Sequence, residues 1–299
     1  MNVSLLETID KTGKGLLATI LETEGHTYKK AGEKALFEVD NPFPLCGNLG
    51  SLCVDQDIVR NGKEAWRAGA PRVIEIDTSD PSDAQLGYGT YCGGKMKILL
   101  EPIDGPHKAV YRELHARLQG KRSVSLCHDL ETGEISMHEA SPEPRSNVFI
   151  ESIAPPRDLF IVGATPLARE LAGHVSDMDF RLHIIDWRAA HLATFEGPGF
   201  ELHDDTYPFA SDSLVVVLTH SFERDKTALG KALASGSAYI GLLSSRTRRD
   251  ALFADMVRNG VSEKDLERVS SPVGIDIHAR TDPELAVAIA AELVEFVNR

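Results

Sequence analysis

The sequence predicts an α/β protein with a parallel sheet in its C-terminal half and a smaller α+β domain in its N-terminal half. An apolar run at 159–162 stops at Gly163, passes into a helical pattern and is followed by a second apolar run that ends at Asp186. Further apolar runs then alternate with helical patterns to the end of the chain. Such continuous apolar strands are typical of a parallel sheet covered on both faces. The first βαβ outline is of the nucleotide-binding kind, so we expect a Rossmann-like domain.

The elements of the C-terminal half follow from apolar runs and helical periodicity. The predicted strands are 159–162, 182–185, 214–218, 238–242 and 273–277, and the predicted helices are 166–176, 225–233, 246–259 and 283–297. The last helix has a clear start signal, because Thr281 and Glu284 have capping-box spacing and Pro283 lies in the first turn.

The N-terminal half has a mixed pattern. It predicts a short helix near Leu5, strands at 16–21, 35–39, 73–76 and 98–100, and a helix at 54–68. Residues 104–156 add a helical pattern at 110–118, strand-like runs around 124, 135 and 149, and four prolines that interrupt the segment. We therefore predict an N-terminal domain over 1–103, a connector over 104–156 and the Rossmann-like domain over 157–299.

Composition excludes several classes of function. The net charge of −13 argues against nonspecific nucleic-acid binding, since a polyanion would be repelled. No run approaches the roughly 18 to 20 apolar residues of a membrane span, and the first residues lack a basic segment before an apolar core, so we expect a cytoplasmic protein without a membrane partner. The four cysteines are too few and too scattered for a disulfide framework, so they are expected to be reduced thiols. They contain no C-x-x-C pair, so their spacing does not support a tetrahedral zinc site.

The glycine motif after the first strand is incomplete. The usual G-x-G-x-x-G/A pattern reads here Gly163-x-Thr165-x-x-Ala168. The missing second glycine normally allows the backbone to approach a pyrophosphate closely. The pattern therefore predicts a nucleotide-type fold more firmly than an ordinary dinucleotide ligand.

Polar residues follow the predicted parallel strands, where ligands bind in such folds. Asp186 could accept hydrogen bonds from ribose hydroxyls or could cap a turn, and His220 could carry a proton or be hydrogen-bonded within a turn. Ser244, Ser245 and Arg246 combine hydroxyls, amides at a helix start and a guanidinium, which suits a phosphate. The neighbouring Arg248 and Arg249 are expected on a solvated helix surface.

Two cysteines lie in glycine-rich contexts. Cys53 begins a predicted helix, where amide dipoles favour a reactive thiolate, and Cys92 lies in a loop rich in glycine. Each could instead be a small buried hydrophobic residue, and the sequence leaves both alternatives open. Cys46 and Cys127 are expected to be buried.

Several motifs, in order, resemble the XdhC/CoxI family of accessory proteins for molybdenum hydroxylases. Residues 22–32 resemble the family's E-x-x-G-S-T-Y-R-x-x-G, residues 50–55 resemble its G-G-G-C-x-E, and residues 92–94 match its C-G-G. Residues 217–220 with Asp225, 239–246, 272–277 and 281–286 are similar to C-terminal family signatures. The chain departs from the family at Thr165 and Pro166, at Ser51, Leu52 and Asp55, and at His278, which stands where glycine is usual.

The resemblance implies a protein that binds and protects molybdenum cofactor, assists its sulfuration and hands it to an apo molybdenum hydroxylase such as xanthine dehydrogenase. It also implies a cysteine desulfurase as sulfur donor and a homodimer. In this hypothesis Cys53 and Cys92 face the metal, because a soft thiolate suits a metal-sulfur centre. The cofactor-binding residues would be Cys53, Cys92, Gly93, Gly163, Thr165, Asp186, His220, Ser244, Ser245 and Arg246.

Two rival functions belong to other classes. An NAD(P)-dependent oxidoreductase would use Asp186 for the ribose and His220 as acid or base, but the lost glycine weighs against it. A homologue serving only as a protein-protein adaptor would bind neither cofactor nor nucleotide. We expect an accessory protein without strong turnover of its own.

Overall fold

The computed structural model describes residues 3–27, 29–50, 52–77, 94–195, 199–205, 207 and 209–299, apart from the side chains of Val3, Leu52 and Cys53. The chain divides into two compact units, Met1–Pro155 and Pro156–Arg299, which are called here the first and the second unit. None of the helices in the described ranges has the length and apolar character needed to cross a membrane.

The first unit contains two antiparallel sheets. Its described helices are α1 (Val3–Lys11), α2 (Leu52–Ala68) and α3 (Gly105–Gln119). Its described strands are β1 (Gly15–Gly25), β2 (Lys34–Glu38), β3 (Cys46–Gly47), β4 (Arg72–Asp77), β5 (Gly94–Ile103), β6 (Val124–Asp129), β7 (Ile135–His138) and β8 (Val148–Ile153). One sheet has the order β3-β2-β1-β5-β4 and the other the order β7-β6-β8.

The first seven residues of strand β1 are buried, because helices cover both faces of the five-stranded sheet there. Leu16, Ala18 and Ile20 pack into a core with residues of α2. Leu17, from the alternate face, packs with α1, α3 and the three-stranded sheet. The helix and strands of 104–155 thus contribute to a core of the first unit, while the predicted boundaries between domain and connector stay a prediction.

The second unit is a six-stranded parallel sheet between helices. Its described strands are β9 (Arg157–Val162), β10 (Phe180–Ile185), β11 (Phe200–His203), β12 (Leu214–Val217), β13 (Tyr239–Leu242) and β14 (Val269–Ser270). Its described helices are α4 (Pro166–Val175), α5 (Ala189–Leu192), α6 (Phe222–Ser235), α7 (Arg246–Arg258), α8 (Glu263–Leu266) and α9 (Asp282–Val297), with a 3-10 turn at Ala193–Phe195.

The strand order, β11-β10-β9-β12-β13-β14, and the parallel pairing throughout are those of a Rossmann-like domain. Residues of α4 and α9 cover one face of the sheet, and residues of α6 and α7 cover the other. The predicted fold class is therefore confirmed. At the start of α9, Glu284 accepts a hydrogen bond from the Thr281 N–H at 3.0 Å, as its spacing predicts.

Two strand predictions in this unit differ from the structure. The run 273–277 is not a strand, because Gly274 has a φ of +105° and its N–H donates to Glu292 of α9 instead of to a neighbouring strand. The sixth strand is the short β14 just before it. Strand β11 was missed because four residues with only two apolar members carry little periodic signal.

Candidate functional site

The carboxyl ends of four strands in the second unit lie side by side. Val162 of β9 pairs with Ile185 of β10 and with Val217 of β12, and Val217 pairs with Leu242 of β13. Chain order reverses between β9 and β12, which is the switch point where ligands bind in open parallel sheets. The structure therefore brings seven predicted residues to one edge of the sheet, namely Gly163, Thr165, Asp186, His220, Ser244, Ser245 and Arg246. This edge is called the strand-end site below.

Gly163 is required by a close approach between two loops. Its φ is +109°, and a Cβ at this position would lie 2.9 Å from the Leu218 carbonyl. Its N–H donates to the Ile185 carbonyl at 2.7 Å. Any other residue would therefore push apart the loops that follow β9 and β12.

Thr165 replaces the second glycine of the usual motif as a helix cap. Its hydroxyl oxygen accepts a hydrogen bond from the Ala168 N–H at 3.2 Å, and Pro166 has no N–H to offer. Two of the first three amide positions of α4 are thus unable to bind a phosphate. The departure from the glycine motif therefore means that amide groups available to an anion in the usual motif are capped within the chain or absent.

Asp186 is buried and its carboxylate is fully engaged within the unit. Its Oδ2 accepts from the Ala164 N–H at 2.8 Å, and its two oxygens accept from the Arg188 backbone N–H, Nε and Nη2 at 2.7 to 2.9 Å. Burial alone would raise the pKa of Asp186, but the hydrogen bonds from Arg188 and Ala164 and the guanidinium charge lower it. This geometry supports the turn-capping alternative, and a ribose-binding role for Asp186 stays a prediction.

His220 is exposed and has a φ of +58°, a conformation that costs energy for residues other than glycine. Hydrogen bonds of the preceding residue, Thr219, hold the loop around His220 in place. The Thr219 hydroxyl donates to Asp225 Oδ1 at 2.5 Å and accepts from the Ser221 N–H at 3.0 Å. The strained backbone therefore presents an exposed imidazole from a rigid turn, whose role as a proton carrier stays a prediction.

Asp225 and Arg248 form an ion pair that the sequence analysis did not predict. Asp225 is fully buried, and Arg248 Nη1 lies 2.7 Å from its Oδ2, although the two groups are not aligned as a hydrogen bond. The pair joins α6 to α7. Arg249, for its part, donates to the Ser271 carbonyl at 2.9 Å. The expectation that both arginines lie on a solvated surface is therefore wrong, because each anchors the start of α7 to a neighbouring segment.

The start of α7 supplies the exposed part of the strand-end site. Ser244 is buried, and its hydroxyl donates to the Ser245 carbonyl at 3.2 Å. Ser245 is the N-cap and accepts from the Arg248 N–H at 3.2 Å. Arg246 is exposed at the first position of this 13-residue helix. A guanidinium beside a helix N-terminus is suited to a phosphate.

Of the four cysteine predictions, the one for Cys127 is confirmed because that residue is buried, and the one for Cys46 is wrong because that residue is half-buried in the short strand β3. The predictions for the glycine-rich contexts fall outside the described residues. This holds for Cys92, Gly93 and the side chain of Cys53, of which only the backbone, in the first turn of α2, is described. Asp55 lies in the same turn and is buried, and its Oδ1 has no partner among the described residues. Burial raises the pKa of Asp55 to about 6, so this acid can exchange a proton near neutral pH. The sequence places Asp55 within a family motif but indicates no role for it.

A second polar cluster of the second unit, formed by His183, Glu201 and His203, also escaped prediction. It lies across β10 and the missed strand β11. The available signal was the i, i+2 spacing of Glu201 and His203, which places two polar side chains on one face of a strand.

The departure at His278 has a conformational explanation. His278 has a φ of +60° and is exposed. A glycine takes this conformation without strain, whereas histidine takes it at some cost. The backbone conformation at this position thus suits the glycine that is usual in the family, although this chain has a histidine there.

Comparisons with known proteins agree with the resemblance. The family model described as "XdhC Rossmann domain" matches residues 159–293, and the model described as "XdhC and CoxI family" matches residues 9–77. The chain is 24% identical to a protein of Bacillus subtilis named as a probable xanthine dehydrogenase subunit, and the match covers 96% of this chain and 94% of that protein. It is 23% identical to the molybdenum cofactor insertion chaperone PaoD of Escherichia coli, covering 94% and 83%.

A solved structure gives the same result in three dimensions. The crystal structure of a protein from Bacillus halodurans, described as a xanthine dehydrogenase, superimposes with a TM-score of 0.86 at 26% identity, and the match covers 100% of this chain and 96% of that one. Two models of one family match the two units in the expected order, and the relatives match nearly the whole chain. The chain therefore belongs to the XdhC/CoxI family.

Proposed function

We propose that this protein binds molybdenum cofactor as cargo and delivers it to an apo molybdenum hydroxylase such as xanthine dehydrogenase. The observation that carries the proposal is the match, over 94% of the chain, to a relative named as a molybdenum cofactor insertion chaperone. The similarity to a protein named as a probable component of xanthine dehydrogenase indicates the class of enzyme that receives the cofactor.

The strand-end site supports a phosphate ligand at α7 better than a pyrophosphate at α4. At α4, the Ala164 and Ala168 N–H groups already donate to Asp186 and Thr165. At α7, the Arg248 N–H likewise donates to its N-cap Ser245, but the first turn contains no proline, and exposed Arg246 adds a guanidinium to the helix N-terminus. We assign the pterin phosphate of the cofactor to Ser244, Ser245 and Arg246, with Gly163, Thr165, Asp186 and His220 shaping the adjoining loops.

The same contacts disfavour NAD(P). A dinucleotide would need the loop amides for its pyrophosphate and an acid such as Asp186 for its ribose. Asp186 instead accepts four hydrogen bonds from Ala164 and Arg188. Freeing Asp186 would leave the Arg188 guanidinium without its carboxylate and the Ala164 N–H unsatisfied.

The metal end of the cargo is assigned to thiolates. Cys53 is placed in the first turn of α2, where the helix dipole stabilises a thiolate, and Cys92 is proposed as the second sulfur ligand, with Gly93 beside it. Asp55, two residues after Cys53, is buried without a partner for its Oδ1 among the described residues and can supply or accept a proton there. Sulfuration by a cysteine desulfurase and assembly into a homodimer are further parts of the proposal.

The test is a titration of the purified chain with isolated molybdenum cofactor, followed by absorbance and by molybdenum analysis after gel filtration. We expect saturation near one equivalent and activation of a cofactor-free molybdenum hydroxylase by the loaded protein. The Cys53→Ala, Cys92→Ala double variant should lose at least tenfold in affinity. Arg246→Ala should lose less, because one exposed guanidinium contributes about 1 kcal/mol or somewhat more.

Arg258→Ala is the matched control, since Arg258 is an exposed arginine at the other end of α7. It should bind cofactor like the native chain. No retained molybdenum in the native chain would overturn the proposal. Saturable NADH or NADPH fluorescence in its place would favour the oxidoreductase alternative.

A further inference from the structure

The polar cluster on β10 and β11 brings three side chains with metal-binding atoms together. His183 pairs in register with Glu201 across the two strands, and His203 follows two residues later on the same face. His183 Nδ1 lies 3.0 Å from His203 Nε2 and 3.3 Å from Glu201 Oε2. One ligand atom from each residue lies within 4.8 Å of the others.

These separations suit a single ion. Two nitrogens that are each about 2.0–2.1 Å from one tetrahedral zinc ion lie roughly 3.4 Å apart. The observed separations of 3.0 and 3.3 Å are within a few tenths of an ångström of this value. A small opening of the cluster would therefore be enough to admit the ion.

Asp158 orients the buried histidine for this role. His183 is buried, and its Nε2 lies 3.1 Å from Asp158 Oδ1, to which it donates when the proton is on Nε2. That tautomer leaves the Nδ1 lone pair directed at His203 and Glu201. The ring also stacks on Phe160, with centroids 4.3 Å apart. A histidine that donates its second nitrogen to a carboxylate is the usual arrangement around protein-bound metals.

The charges of the cluster favour a cation. Among the described residues, the carboxylates of Asp158 and Glu201 are opposed by one guanidinium, that of Arg181. Two carboxylates beside one guanidinium give the cluster an excess of negative charge, apart from its histidines.

We propose that His183, Glu201 and His203 form a binding site for a divalent transition metal ion, with Zn²⁺ as the reference ion. Imidazole and carboxylate ligands suit such ions. Three protein ligands leave a fourth position for water or an exogenous ligand. Glu201 is 56% exposed, and β11 is the edge strand of the sheet, so the ion can enter from solvent. This metal site goes beyond the proposed function, because it uses none of the residues assigned to the cofactor.

The experiment uses the full chain with Cys53→Ala and Cys92→Ala, so that these two thiols do not compete for the metal. After treatment with a chelator, the protein is titrated with Zn²⁺ by calorimetry and with Co²⁺ by visible absorption. We expect one equivalent of each ion and a cobalt spectrum typical of nitrogen and oxygen ligands. His203→Ala and Glu201→Gln should each weaken binding by at least tenfold.

His174→Ala provides the control, because His174 is an exposed histidine of the same unit outside the cluster. It should bind zinc like the parent protein. Glu201→Gln keeps the shape of an exposed side chain, so circular dichroism should show an unchanged fold. The absence of saturable binding in the parent, or equal affinity in the parent and both ligand variants, would overturn the proposal.

Discussion

Each unit contains a histidine hydrogen-bonded to carboxylates, but the two clusters have different charge balances. In the first unit, Lys34, Glu101, His128 and Glu151 form what is called here the closed cluster. Asp158, His183, Glu201 and His203 of the second unit form the open cluster. The same residue types thus form an internal network of ion pairs in the closed cluster and a candidate metal-binding site in the open cluster.

The closed cluster contains its own counter-charges. His128 is 1% exposed, and its Nδ1 and Nε2 lie 2.8 Å from Glu101 Oε1 and 3.1 Å from Glu151 Oε1. Lys34 Nζ lies 3.0 Å from Glu151 and donates to the Thr19 hydroxyl at 3.1 Å. Two cations thus face two carboxylates inside a core. Such a balanced set has no need of an external ion.

The pKa values of the closed cluster follow from this arrangement. Burial alone would lower the pKa of His128, but the charges of Glu101 and Glu151 and the hydrogen bonds to them raise it to about 9. Burial would raise the pKa of Glu151, but His128 and Lys34 lower it to about 2. In the open cluster, no lysine of the described ranges takes the place of Lys34, and the pKa of His203 is lowered instead. The open cluster thus has one guanidinium, that of Arg181, beside its two carboxylates, whereas the closed cluster has Lys34 together with a protonated His128. This difference in charge leaves room for a metal.

Removal of His128 should have the largest effect. His128→Ala leaves Glu101 and Glu151 buried without their partner, and we expect a loss of about 3–5 kcal/mol in the free energy of unfolding. Urea unfolding followed by Trp66 fluorescence in a Trp187→Phe background would report on the first unit, since Trp66 donates to the Gly15 carbonyl within it. His138→Ala, at an exposed histidine of the same unit, should cost less than about 0.5 kcal/mol. Equal losses in the two variants would contradict the account of the closed cluster.

The pH dependence of unfolding should be the next largest effect. Because the pKa of His128 is raised to about 9 in the folded chain, its contribution is present in full below the unfolded pKa of 6.5 and is lost as pH rises through 9. This contribution of His128 to the free energy of unfolding is about 3 kcal/mol, as calculated from the shift in its pKa. Glu151, whose pKa is lowered to about 2, contributes above pH 4.5 and loses its contribution as pH falls toward 2.

The measurement is a series of urea titrations between pH 6 and pH 10 with the same fluorescence reporter. His128→Gln should remove most of the alkaline loss of stability that His128 causes. If the free energy of unfolding of that variant still falls with rising pH as in the native chain, groups other than His128 cause the pH dependence.

Zinc should stabilise the open cluster by mass action. At a free zinc concentration of one hundred times the dissociation constant, the second unit should gain about 2.7 kcal/mol. The gain should fall as the solution is acidified, because protons compete for the imidazoles of His183 and His203. Thermal unfolding with and without zinc would measure it, and a gain that persists in Glu201→Gln would locate the ion elsewhere.

Asp55 is a buried acid whose Oδ1 has no hydrogen-bond partner among the described residues, and its removal should have the smallest effect. Its pKa is raised to about 6 by burial, so the folded chain holds the proton more tightly and loses stability as pH rises from about 4 through 6. Asp55→Asn should raise the unfolding temperature at pH 7 to 8 and leave it unchanged near pH 4. Asp40→Asn, at an exposed acid, should leave it unchanged at both. A lower unfolding temperature for Asp55→Asn at pH 8 would show that the charged form has a partner.

Much of the second unit was predictable because strands buried on both faces are continuous apolar runs. Helices α4, α7 and α9 begin at the predicted residue or within one residue of it, since Thr165, Ser245 and Thr281 are strong N-cap residues. Strand β11 could not be predicted because only two of its four residues are apolar, and strand β14 could not because two residues have no measurable period. The strand-end residues were found as a group because the topology of a parallel sheet gathers whatever follows its strands.

The use of those residues could not be predicted in the same way. Whether Asp186 accepts from a ribose or from Ala164 and Arg188 depends on distances between loops that no local pattern encodes. The open cluster was missed for a related reason, since His183 and His203 are twenty residues apart and meet only through the pairing of β10 with β11.

The sequence by itself determined the fold class, the family and the set of polar residues at one edge of the sheet, because apolar periodicity, helix caps and ordered motifs are local properties of the chain. The tertiary structure alone decided which of those residues are engaged internally. It also decided that His128 meets two buried carboxylates with Lys34 beside them, while His183 meets carboxylates beside a second histidine, His203. These outcomes depend on burial and on charge balance, which are set by segments distant in the chain once they pack together.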